Sequence, residues 1–183
     1  MSTVKVDLSG IEGLRQALAD ADKSNLNVGW FESANYDNGV SVAGVAALQE
    51  FGSKTAPARP FFRPAVEDNK SDWSQLVESG VKAVVEGNAT MDNVMNGLGL
   101  TVQADIKNAI VGGNHLALSP VTIALRKLKN EGAQVGKGLV GAVAQAIAEG
   151  KTGPGELGSQ DFGNKDPLRD SGMMIATLTY ELS

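Results

Sequence analysis

Three prolines set the tightest constraint on this chain. Pro57, Pro60 and Pro64 punctuate the run APARPFFRPA, fixing φ at their own positions and pushing Ala56, Arg59 and Arg63 towards extended geometry. Ahead of them, Val42, Val45, Ala46 and Phe51 fall close to one helical face, and Gly52 stands where a left-handed C-terminal cap is expected. The segment reads as a short amphipathic helix, a glycine stop, and a stiff arm carrying Phe61 and Phe62 between two arginines. A stiff arm loses little entropy on docking, so Arg59, Pro60, Phe61, Phe62 and Arg63 are candidates for a contact between subunits. The same residues also suit a hydrophobic plug for the chain's own core. Spacing alone slightly favours the plug.

Around this segment the pattern alternates between short strands and longer helices. Val4, Val6 and Leu8 alternate with Lys5 and Asp7, and Leu26, Val28 and Trp30 alternate again, predicting strands over 3–8 and 26–31. Between them Ser9 and Glu12 form a capping box for a helix with Ile11, Leu14, Leu18 and Ala21 on one face. Asp37-Asn38-Gly39 is a turn signal near Tyr36. A long helix is expected from Pro64, and Thr90 caps another whose Met91, Val94, Met95, Leu98, Val102, Ile106, Ala109 and Ile110 repeat at helical spacing. Ser119-Pro120 opens a helix to about Asn130. A last strand is expected over 173–182, where Met174, Ala176, Leu178, Tyr180 and Leu182 alternate with their neighbours. The fold class that follows is α+β: a small, mostly antiparallel sheet from strands near both termini, packed against several long helices.

Composition removes several functions. With no cysteine and one histidine, His115, the chain has neither a disulfide nor a thiol- or histidine-rich metal site. A net charge of −5 argues against tight sequence-independent binding of DNA, which needs clustered lysines and arginines. Glu67, Asp68 and Asp72 read as the dipole-favouring acids of a helix start rather than as metal ligands. The glycine pairs near Gly112 and Gly153 lack the Lys-Ser/Thr that a phosphate-cradling loop requires. No cofactor and no catalytic constellation is expected, and the start MSTVKVDLSG has no signal-peptide core. No apolar run approaches the roughly 20 residues of a membrane span.

The ordered pieces YDNGVSVAGVAALQEFGS, APARPFFRPA, LSPVTIALRKLK and DPLRDSGMMIATLTYEL resemble the tail-completion, or head–tail joining ("virion morphogenesis"), family of tailed bacteriophages. The resemblance runs from about Val28 to the C-terminus. It implies a non-enzymatic structural protein at the neck or upper tail of the virion, assembled in the host cytoplasm. By analogy it implies a homo-oligomeric, hexameric ring between connector and tail-tube or tail-terminator proteins, with DNA passing through and no base readout. An assembly chaperone or scaffold absent from the mature particle is the alternative. Residues 131–165 depart from the family pattern as a glycine-rich insertion in a single domain. Its one apparent helix, Leu139 to Glu149, adds Leu139, Val143 and Ile147 as candidate interface residues.

Overall fold

The computed structural model describes residues 9–113, 115–150, 168 and 170–183. The strand expected over 3–8 and the glycine-rich stretch after 150 lie outside the described residues. Two compact units are present, residues 1–113 with 172–183 and residues 114–171. The division differs from the expected insertion at about 131–165, because the second unit begins before the helix opened by Ser119-Pro120.

In the first unit the elements are α1 (Ser9–Ala21), β1 (Leu26–Gly29), α2 (Val42–Phe51), α3 (Phe62–Val85), α4 (Met91–Gly112), α7 (Met173–Thr177) and β2 (Thr179–Leu182). The second unit holds α5 (Pro120–Asn130) and α6 (Lys137–Ala148). The architecture is α+β, with a two-stranded antiparallel sheet of near-terminal strands among mostly helical elements.

The hairpin of α3 and α4 is the body of the first unit. Thr90 caps α4 by accepting the Asn93 N–H, and Met91, Val94, Val102, Ile106 and Ile110 are buried along the expected stripe. Met91 and Val94 form a cluster with Val81, Val84, Val85 and Met95. Further along, the Trp73 Nε1–H donates to Asp105 Oδ2 at 2.8 Å, which fixes the register of the two helices. Close packing here needs small residues: a Cβ on Gly80 would strike Val94, and one on Gly99 would strike the Tyr180 ring.

The sheet lies on α4 through both strands. Leu26 pairs with Leu182 and Val28 with Tyr180, and the Asn25 and Ser183 backbones extend the ladder by two further bonds. Gln103 Nε2 donates to the Leu178 carbonyl at 2.6 Å, and the Tyr180 hydroxyl lies 3.0 Å from Asn96 Oδ1. The expected strand over 173–182 is corrected at its start: 173–177 is a helical turn entered through Gly172 at φ 74°. Met174 and Leu178, both buried, are four residues apart, a spacing that suits two strand periods and about one helical turn alike. Likewise β1 stops at Gly29, short of the expected end at residue 31.

In the second unit Ser119 caps α5, accepting the Thr122 N–H at 3.2 Å. α6 packs on α5 and buries Val143, with Leu139 and Ile147 half-buried and Val140 exposed. α6 therefore docks on a helix of its own chain. Its apolar stripe is largely spent inside its own unit.

Candidate functional site: the joint between α2 and α3

The chain enters α2 through a tight turn. The Tyr36 N–H donates to Val40 O, the Gly39 N–H to Tyr36 O, and Asn35 bridges Ser41. Tyr36 thus sits in a small hairpin, with Gly39 at φ 77°. Ser41 then caps α2 by accepting the Gly44 N–H.

Val42, Ala46 and Glu50, each four residues on from the last, are the buried residues of α2. Phe51, expected on that face, is 67% exposed instead. Gly52 ends the helix at φ 76°, ψ −176°, with extended ψ rather than the left-handed cap expected. A Cβ at Gly52 would lie 2.7 Å from the Ala58 nitrogen, so both dihedral and space demand glycine. The arm then folds back along α2: the Arg59 N–H donates to Gln49 O at 2.7 Å.

That return delivers the start of α3 to the Glu50 carboxylate. Its Oε2 accepts the N–H groups of Phe61 and Phe62 at 2.8 and 2.9 Å. Its Oε1 accepts the Arg63 N–H at 3.2 Å and Arg63 Nε at 2.7 Å. A helix start leaves its first amides without intrahelical acceptors and carries partial positive charge. A carboxylate borrowed from α2 supplies both needs. Burial pushes the Glu50 carboxyl up, but the Arg63 guanidinium and the three backbone N–H groups outweigh it and hold the pKa below its usual value.

This joint corrects the expected arm. α3 begins at Phe62, not Pro64, because Glu50 meets the first amides and Pro64 has no N–H to satisfy. Phe61 is 1% exposed and Arg59 6%, so neither is held out for a neighbour. The plug reading describes Phe61. Its ring meets Trp30 edge-on at 5.9 Å and Phe62 at 6.4 Å. Phe62 is half-buried, whereas Pro60 and Arg63 are exposed. The structure brings these five candidates together at one joint, while Leu139, Val143 and Ile147 belong to the other unit.

Glu50 is the residue that periodicity alone passes over. The available signal is its position: the only charge in α2 stands on the Val42–Ala46 stripe. With that carboxylate turned inward, the outer face of α2 holds Gly44, Ala47, Leu48 and Phe51 and no charge. Arg63 lies over the Phe51 ring, 4.9 Å from its centroid. Between these residues opens an apolar cleft of about 220 Å³, lined by Ala43, Ala46 and Ala47 and by the rings of Trp30, Phe51 and Phe62.

A second hollow of about 450 Å³ lies where the end of α1 meets the start of α4, lined by Asp20, Lys23, Thr90, Asp92 and Ser183 among others. Among the described residues no group of three His, Cys, Asp or Glu side chains is placed to hold a metal ion. No helix of the described residues is long and apolar enough to cross a membrane. Set against protein-family models, curated proteins and solved structures, the chain finds no match.

Proposed function

We propose that this chain is a structural subunit of a tailed bacteriophage, forming a ring at the head-proximal end of the tail that completes the tail and joins it to the head. The observation that carries the reading is the outer face of α2. A helix whose single carboxylate points inward, and whose exposed Leu48 and Phe51 flank an aromatic-walled cleft, is a surface for protein contact. The family resemblance supplies the identity of the assembly. The joint gives its central motif a physical meaning: Glu50, Gly52, Arg59, Phe61 and Arg63 hold α2 and α3 in one geometry and so present the cleft.

The role is assembly rather than turnover. Contact falls to Leu48, Phe51, Phe62 and Arg63, with six copies by analogy to phage tails, connector proteins above and tail-tube or tail-terminator proteins below. Excess negative charge, −5 per chain, suits a lumen through which DNA slides without sticking. Disrupting the gene in a phage that encodes it tests the reading. Filled heads and finished tails should accumulate unjoined, and purified wild-type particles should contain the protein. Joined, infectious particles from the disrupted phage overturn the role, and absence of the protein from wild-type particles replaces it with an assembly chaperone.

A further inference from the structure

Helix α1 meets α3 through its glycine side: a Cβ on Gly13 would lie 2.9 Å from the Val85 carbonyl oxygen. Its branched side chains occupy the half of the helix turned away from that contact. Ile11, Leu14 and Leu18 are 57%, 43% and 59% exposed. Their spacing of i, i+3 and i+7 is the anchor pattern of a helix that lies in an apolar groove. Among the described residues, no other helix leaves three large apolar side chains exposed.

The cleft beside α2 is an apolar groove of about 220 Å³ with three alanines in its lining, large enough to take a branched aliphatic side chain. Stripe and cleft cannot meet within one molecule. Gly13 sits at Val85, the last residue of α3, whereas Phe62, the first, lines the cleft. At 1.5 Å per residue those ends are roughly 35 Å apart, further than α1 is long. The apolar stripe of α1 and the apolar cleft beside α2 are thus both left for a second copy to cover.

We propose that α1 of one copy docks its Ile11–Leu14–Leu18 stripe into the Trp30–Ala47–Phe62 cleft of the next. The contact joins two different surfaces, so each copy offers one of each, and repetition closes a ring where the rotation allows. Closure rests on the ring reading above; the contact itself does not.

Because the chain has no cysteine, introduced pairs report the contact cleanly. The full-length Leu18→Cys/Ala47→Cys protein is oxidised at about 0.5 mM and run without reductant, each single variant serving as control; this is well above the micromolar Kd of a modest interface. Both positions are exposed, so neither change disturbs the core, and thermal melts verify folding. The expected result is a ladder of linked copies from the double variant and a dimer only from a mixture of the two singles. Leu18→Glu in an otherwise native chain should weaken association by about 30-fold or more, as at an interface hot spot. No linkage between the mixed singles overturns the contact. If light scattering of the unsubstituted chain still shows a ring, that reading survives with a different interface. A ladder that stops at the dimer upholds the contact and overturns the ring.

Discussion

Replacing Glu50 with alanine removes the acceptor for three amides and one guanidinium at once. The Phe61 N–H is buried, and leaving it without a partner costs about 1–3 kcal/mol. The Phe62 and Arg63 amides stand at a half-open helix end where water replaces the lost oxygen, a loss comparable to removing an N-cap, about 1 kcal/mol. The first unit should therefore lose about 2–4 kcal/mol. Urea denaturation followed by tryptophan fluorescence reads that unit specifically, since Trp30 and Trp73 both lie in it. The midpoint should fall with the slope unchanged. Arg63→Ala is the control. Its side chain is 63% exposed, so the ion pair itself contributes only about 0.2–1 kcal/mol. A Glu50→Ala protein within about 0.5 kcal/mol of the parent, or an Arg63→Ala loss as large as that of Glu50→Ala, refutes the capping argument.

The pH dependence of the same residue has a definite sign. A carboxyl held low in the folded state adds stability that is complete above its unfolded pKa and disappears as pH falls through the folded one. Between about pH 6 and pH 3 the parent should thus lose more stability than Glu50→Gln, and parallel curves from the two proteins would remove Glu50 from the acid response. Phe61→Ala should cost about 3–5 kcal/mol in the same denaturation assay, whereas Phe62→Ala, half-buried, should cost clearly less. Gly52→Ala combines a φ of 76° with the backbone contact at Ala58 and should cost at least about 1–3 kcal/mol; a neutral result would mean the turn can rearrange. In the second unit Ser119→Ala should speed amide exchange in the first turn of α5, a cap loss of about 1 kcal/mol, with exchange in α4 unaffected.

What the sequence makes legible is whatever repeats along it or is spelled by one residue type. The stripe of α4 from Met91 to Ile110 is read correctly because it continues over several turns, and Thr90 and Ser119 mark their helix starts through hydroxyls that accept amides. The joint is harder because its partners are ten or more positions apart. Nothing local ties Glu50 to the amides of residues 61–63, and proline stiffness alone suggests a projecting arm. Once the arm turns back on α2, the same prolines lead Phe61 into the core. At Met174 and Leu178 a four-residue spacing serves helix and strand equally, and only the left-handed Gly172 separates them. The exposed stripe of α1 shows the converse. Its periodicity predicts a buried face, yet the helix packs by Gly13 and leaves Ile11, Leu14 and Leu18 in water.

Where the molecule resides decides what it is for. If the proposed role holds, a gold-labelled antibody against this chain, applied to intact particles of a phage carrying its gene and viewed by electron microscopy, should mark one spot per particle at the junction of head and tail. Label on the capsid shell, at the distal tip, or nowhere on finished particles contradicts the joining role.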